Sequence, residues 1–359
     1  MEKKNYSVII GTGCCIPEKR IGNDHFLNET FFSADGEKLK KSNQETIEKL
    51  SEITGIRERR HAAEDQQASD IAYLAALEAL ESAKIDKESL DYIIVGHNFG
   101  DVRLGNVRSD FVPSLASRVK HKLRIVNPRT VAYDLAFGCP GWLQGVIQAD
   151  YYLRSGDCKR VMVIGADTLS RISDPFDRDS MIYADGAGAT IFEAVASDRP
   201  IGILAHAART DALDHAYMLW MGKSFDPQHQ GNELYLKMDG HKLYEYALKT
   251  VPLVARESVE KSGLRIQDIK KVLIHQANEK MDEAILKRLF KICGGEYKPE
   301  VMPMTISWLG NSSVATVPTL LDLILKGKVE NHALAPGDNI VLTSVGAGMN
   351  INAVVYHMP

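Results

Sequence analysis

No apolar run in this sequence approaches the ~20 residues that a membrane-spanning helix needs. The N-terminal run Tyr6 to Ile10, behind the charged Glu2-Lys3-Lys4, is too short for a secretion-signal core, so neither membrane nor export is expected. Cysteine is scarce as well: five in 359 residues, an odd number without metal-like spacing. Neither a disulfide framework nor a zinc site is expected from them, and a reducing, cytoplasmic setting fits. Cys14 and Cys15 are adjacent, a spacing that suits neither a structural bridge nor a metal. Charge of one sign is lacking too. Lys and Arg number 43 against 47 Asp and Glu, for a formal charge of −4, and no nucleic-acid surface is expected. The denser basic clusters, Lys38 to Lys41 and Arg57 to Arg60, are interrupted by apolar or acidic neighbours and read as solvated surface.

What the chain has is apolar material, 45% of its residues, sufficient for about two domains of roughly 150 residues each. It also repeats itself. Ala76 to Val95 aligns without gaps on Ala255 to Ile274 at an offset of 179, so that Ile93-Ile94-Val95 meets Val272-Leu273-Ile274. Each copy reads as an amphipathic helix, a polar turn and an apolar strand. At an offset of 172, Gly138-Cys139-Pro140 opens a helical stretch ending at Asp150 to Arg154, and Gly310-Asn311-Ser312 opens one ending at Asp322 to Lys326. Further short apolar runs (Ser7 to Ile10, Arg160 to Ile164, Thr190 to Ala194, Ile340 to Thr343, Ala353 to Tyr356) read as strands between helices, hence an α/β fold with mixed sheets. A duplicated unit sharing a central helical layer would bring Cys139 and Asn311 together.

Three residues carry candidate chemistry. Cys139 lies in a Gly-Cys-Pro-Gly turn between an apolar strand, Val131 to Leu135, and a helix from about Trp142. A thiol at a helix N-terminus is expected to have its pKa lowered toward the thiolate; the plainer alternative is a buried structural cysteine. His275 ends the strand Val272 to Ile274, where ligand sites of α/β sheets gather; the alternative is a satisfied core histidine. Asn311, in Gly-Asn-Ser-Ser, could equally be a cap or turn residue. Asp185-Gly-Ala-Gly188 looks like a nucleotide loop but precedes a strand instead of opening a helix.

Gly11-Thr12-Gly13, Thr54-Gly-Ile-Arg-Glu-Arg59, Gly138-Cys139, Asp174-Pro-x-Asp-Arg178, Asp185-Gly-Ala-Gly188, His275-Gln-Ala-Asn278, Gly310-Asn311-Ser312 and Gly346-Ala-Gly348 occur in this order. The series resembles the β-ketoacyl-acyl-carrier-protein synthase III family over nearly the whole chain, Ser7 to Tyr356. The resemblance implies a thiolase-like duplicated α/β fold, layered α-β-α-β-α, with one half over 1–197 and the other over 198–359. It implies a homodimer with no metal or organic cofactor. Its Cys-His-Asn triad falls on Cys139, His275 and Asn311. Cys139 would take an acyl group from a thioester. The backbone N–H groups of Cys139 and Ala347, followed by Gly348, would hold the oxyanion. A malonyl thioester would then lose carbon dioxide, its enolate stabilised by an N–H of His275 and the amide of Asn311. Some second group must fix the tautomer of His275. Substrate contacts are expected at Arg178 and Asn278.

Departures from the family pattern concern the substrate. The tryptophan and arginine that precede Thr-Gly-Ile-Arg in members primed by coenzyme A are here Lys49 and Ile53, and Lys280 replaces an arginine. Acyl-carrier protein is therefore expected to deliver at least one thioester, with coenzyme A a poor primer. Extra residues fall around Thr30 to Thr46 and Asn98 to Asp110. Val112 stands where the resemblance places a residue gating the partner's acyl pocket, and a valine there implies a medium or longer chain. Open alternatives are a non-decarboxylative condensation of acyl or β-ketoacyl thioesters, which needs a base such as a glutamate, and acyl transfer to an oxygen or nitrogen acceptor. A non-catalytic subunit that binds acyl-carrier protein is a fourth reading, and the intact triad argues against it.

Overall fold

The computed structural model describes residues 3–359. Two sheets carry the core. In the first, β1 (Lys4–Cys15), β2 (Tyr92–His97), β3 (Val131–Ala136), β4 (Arg160–Thr168) and β5 (Asp185–Ser197) stand in the order β1-β5-β4-β2-β3. In the second, β6 (Gly202–Thr210), β7 (Ile269–Ile274), β8 (Asn339–Gly346) and β9 (Asn350–His357) stand in the order β6-β9-β8-β7. The orders correspond strand for strand. Each sheet has a parallel pair (β2 with β4, β7 with β8) continued by two antiparallel pairings. Among the described residues, β3 has no counterpart in the second sheet.

The helices are α1 (Asn43–Thr54), α2 (Ala68–Ala83), α3 (Leu115–Lys122), α4 (Gly141–Ser155), α5 (Gly240–Ser262), α6 (Glu279–Ile292) and α7 (Thr316–Leu325). Side-chain alternation along the strands sorts them into layers. Ile93, Val95, Met162 and Ile164 face α2 and α3, while Ile94, Val161 and Val163 face α4. On the second sheet, Leu273, Ile340 and Leu342 face α4 and α7, while Val272, Ile274 and Val341 face α5 and α6. The result is α-β-α-β-α. Both faces of both sheets are covered, which is why their central strands read as continuous Val and Ile runs. The central α7 is buried from Thr316 to Ile324, as a helix enclosed on all sides must be. Among the described residues, no helix is long and apolar enough to cross a membrane.

The repeat seen in the sequence has structural content. The offset of 179 relates the end of α2 at Ala83 to the end of α5 at Ser262, and the 3-10 turn Lys87–Ser89 to the turn Ile266–Asp268. The offset of 172 relates Asp150 on α4 to Asp322 on α7, both fully buried. Each accepts a hydrogen bond from a hydroxyl on β1, Ser7 Oγ to Asp150 and Thr12 Oγ1 to Asp322, both at 2.7 Å. Each also faces a cation one turn on, Arg154 at 3.5 Å and Lys326 at 2.7 Å. Both central helices are thereby tied to one strand.

Two expectations need correction. Arg57 to Arg60 is not a solvated cluster: Arg59 and Arg60 are buried. Arg59 donates to the Ile21 carbonyl (3.1 Å) and Asn23 Oδ1 (2.7 Å), over the ring of Phe26. Arg60 donates to the Trp308 carbonyl, so this segment braces the loop that carries Asn311. The helix expected to open at Asn311 begins instead at Thr316, after a 3-10 turn, Ser313–Ala315. The glycines of Gly11-Thr12-Gly13 serve packing: a Cβ on Gly11 would lie 2.5 Å from the Ala79 carbonyl of α2, and one on Gly13 2.4 Å from that of Ala75.

Removing either buried carboxylate leaves a β1 hydroxyl without its acceptor. Asp322→Ala should cost about 1–3 kcal/mol in chemical denaturation: Thr12 loses its acceptor, while Lys326 keeps its pair with Glu78 at 2.7 Å. Asp150→Ala should cost less, because Arg154 is more exposed and can turn to water.

Candidate active site

Cys139 follows β3 through Gly138, whose φ of +71° is a left-handed conformation that glycine adopts without penalty. A Cβ on Gly138 would lie 2.9 Å from the Ala347 nitrogen, and one on Gly346 would lie 2.5 Å from the Cys139 nitrogen. The Cys139 turn and the Ala347 turn therefore touch backbone to backbone, which brings together the two N–H groups expected to hold an oxyanion. Asn350 Nδ2 donates to the Ala347 carbonyl at 2.8 Å and fixes the second turn.

His275 leaves β7 with its N–H bonded to the Thr343 carbonyl at 2.9 Å. Its Nδ1 lies 2.8 Å from Thr316 Oγ1, which is also 2.8 Å from the Ser313 carbonyl. Thr316 is the group, unnamed by the sequence, that sets the imidazole tautomer. A carbonyl only accepts, so with the Thr316 hydrogen engaged on Ser313, Nδ1 must donate and the lone pair sits on Nε2. Asn311 is clamped by its backbone, its N–H on the Ile182 carbonyl (3.0 Å) and its carbonyl receiving the Ala184 N–H (2.8 Å). Its Oδ1 accepts the Ser313 N–H at 2.8 Å, which leaves Nδ2 as the amide's donor.

The electrostatics correct one expectation. Burial pushes the Cys139 thiol up to about 12; the Ser313 hydroxyl, 3.3 Å from Sγ, pulls it down and the Asp167 carboxylate pushes it up. The helix begins at Gly141, two residues on, and desolvation is the largest influence on the sulfur. Burial also holds His275 down at about 4, opposed by the Ser313 carbonyl. The resting pair is a neutral thiol and a neutral imidazole.

Cys139, His275, Asn311, Ala347 and Gly348 line one cavity of about 1110 Å³. Arg178 and Asn278 line it too; Arg178 is exposed, and Asn278 Oδ1 caps α6 at the Met281 N–H (3.0 Å). Val112 does not: it is 86% exposed, just after the ribbon Asp101–Arg103/Asn106–Asp110. The segment around Thr30 to Thr46 covers the cavity with Phe32 and Leu39, and Asn98 and Phe99 of the other insertion line it. Sequence reasoning missed Ser313 and Thr316, although both follow Asn311 within five residues. The aspartates of Asp174-Pro-x-Asp177 are structural, bound to buried Lys237 at 2.5 and 3.2 Å. Asp185 is structural as well, accepting from Ser170 and from the Ala62 N–H.

Because the pKa of His275 is depressed on folding, its contribution to stability is complete above the unfolded value near 6.5 and is lost as pH falls toward 4. The loss should reach about 3 kcal/mol. Denaturation of the wild type and His275→Asn across this window checks it: the variant should show a shallower decline.

The sequence matches two family models, 3-Oxoacyl-[acyl-carrier-protein (ACP)] synthase III over residues 133–212 and its C-terminal counterpart over residues 259–358. It is 34% identical to a β-ketoacyl-[acyl-carrier-protein] synthase III of Xanthomonas campestris and 31% identical to one of Staphylococcus epidermidis, with 97% of each chain covered in both cases. The fold is similar to that of the Aquifex aeolicus 3-oxoacyl-[acyl-carrier-protein] synthase III, with a TM-score of 0.79 at 28% identity over 98% of this chain and 99% of the other. Sequence, fold and a cysteine-bearing cavity agree, and the chain belongs to the 3-oxoacyl-[acyl-carrier-protein] synthase III family of thiolase-like acyltransferases.

Proposed function

We propose that Cys139 takes an acyl group from a thioester and that the enzyme joins it to a malonyl thioester with loss of carbon dioxide. The observation that carries this reading is the convergence of a thiol, an imidazole, an amide and two adjacent backbone N–H groups on one cavity. With its lone pair on Nε2, His275 accepts the thiol proton as sulfur attacks and returns it to the departing thiolate. The acyl-enzyme oxyanion is held by the N–H groups of Cys139 and Ala347.

Condensation asks the opposite of His275, a proton on Nε2 aimed at the enolate beside the Asn311 amide. The Thr316 hydroxyl has two acceptors in reach, the Ser313 carbonyl and Nδ1. Turned to the carbonyl it favours the base; turned to Nδ1, once Nδ1 has given up a proton to solvent and Nε2 has gained one from it, it favours the donor. Cys139 leaves the product as a thiolate and regains one proton from solvent, which balances the loss of carbon dioxide from the malonyl carboxylate.

The cavity volume and its apolar cover support a medium or longer acyl chain. Ile53 lines the mouth and Lys49 is exposed beside Glu52, so no aromatic face opposes Arg178 there, which supports delivery by acyl-carrier protein. A homodimer is supported by β3, an edge strand on a sheet otherwise buried on both faces, with Phe111, Val112 and Val131 exposed near it.

Intact-protein mass after incubation with acyl-carrier-protein and coenzyme A thioesters tests the reading. An adduct absent from Cys139→Ala and discharged by a malonyl thioester with release of carbon dioxide is expected. Discharge by another acceptor alone would overturn it.

A non-decarboxylative condensation has one observation in its favour. No glutamate lines the cavity among the described residues, but half-buried Asp179 does, 3.9 Å from Arg178 and raised to about 6 by burial and the Asp177 charge. A carboxylate in the cavity supports a base for this route. Loss of deuterium from an α-deuterated acyl thioester, abolished by Asp179→Asn, would favour this route; retention of the label excludes it.

A further inference from the structure

Ser313 is a serine in a left-handed backbone conformation, φ +55°, at the centre of the site. Non-glycine residues hold such angles where surrounding bonds over-determine them, and they cluster at functional sites. Here the bonds run to every member of the triad. The Ser313 N–H donates to Asn311 Oδ1, and its carbonyl accepts from the hydroxyl of Thr316, the residue in contact with His275 Nδ1. Its Oγ lies 3.3 Å from Cys139 Sγ.

The direction of that last contact is set from behind. Asn98 Nδ2 donates to Ser313 Oγ at 2.8 Å and to Asp167 Oδ2 at 2.5 Å. The two hydrogens of the amide are thereby used. Asp167 also accepts the Asn98 N–H at 2.9 Å. With Asn98 on the acceptor side of the hydroxyl, its one hydrogen has two acceptors in reach, the Asp167 carboxylate and the sulfur, and it turns to the sulfur as charge develops there. We propose that Ser313 is a fourth catalytic residue, donating to Cys139 Sγ and stabilising the charge that the sulfur carries as it attacks and as it departs. Asn98 and Asp167 are positioning residues that aim this hydroxyl. The inference rests on Cys139 being the reacting group, and its test uses no thioester, so it can fail or hold independently of the condensation reading.

Ser313→Gly removes the hydroxyl and keeps a backbone at ease with positive φ. Alkylation of Cys139 by iodoacetamide, followed by intact mass against pH, reads the thiolate directly. The variant curve should lie about one pH unit higher, with alkylation about 10-fold slower at each pH below the midpoint, the scale of a hydrogen bond to a charged group. A purely structural serine would not move that curve, so superposition of variant and wild type overturns the proposal. Asn98→Ala provides a second measurement if Ser313→Gly does not fold. It should move the curve in the same direction by a smaller amount, and an unmoved curve there is equally fatal.

Discussion

Where the Gly138–Cys139 turn meets the Gly346–Ala347 turn, the two backbones approach so closely that neither glycine could carry a Cβ. The same contact recurs around it. A Cβ on Gly96 would lie 2.6 Å from the Gly141 carbonyl carbon, and one on Gly165 2.5 Å from the Val314 carbonyl oxygen. These contacts press the starts of α4 and α7 onto the first sheet and toward each other. Side chains of ordinary size at these positions would separate the layers, and the thiol, the imidazole and the amide would no longer share a cavity. The chemistry depends on the absence of atoms at the centre of the molecule.

Such a centre cannot hold itself by apolar contact alone, because dispersion is weakly directional and would let the helices slide. The buried carboxylates Asp150 and Asp322 supply direction, each gripping a β1 hydroxyl. Both bonds end on one strand, so α4 and α7 are registered against a common ruler instead of against each other. The loop carrying Asn311 is held from the opposite side by the buried arginines of the Arg57–Arg60 segment and by Gly310, where a Cβ would lie 2.7 Å from that of Arg59. Residues that look functional by motif, Arg59 and Asp185 among them, are part of this scaffold.

Periodicity made the layers legible. The runs at Tyr92, Arg160, Val272 and Ile340 are strands because both faces of each sheet are covered, and the offset of 179 predicted the matching helix ends at Ala83 and Ser262. β6 escaped notice because Gly202 and His206 interrupt its apolar pattern. That Cys139, His275 and Asn311 share a cavity was legible through resemblance, whereas their electrostatics were not. A helix start argued for a thiolate at Cys139, but burial of the sulfur, which only the assembled layers create, reverses the sign. Ser313 and Thr316 were invisible for the same reason. Their roles lie in a left-handed φ and in partners up to 215 residues away, as Asn98 is from Ser313.

The neutral resting pair has a consequence for the survival of the enzyme between turnovers. Peroxides react with thiolates, and a protonated sulfur is a poor target. In the proposed reaction the charged form of Cys139 arises only when a thioester is in place and the acyl transfer draws the proton away. The nucleophile is then already covered by its substrate, and afterwards it is capped by the acyl group. The same desolvation that makes the thiol a sluggish reagent at rest slows its conversion to sulfenic acid, even though Cys139 is only half-buried and lines the cavity.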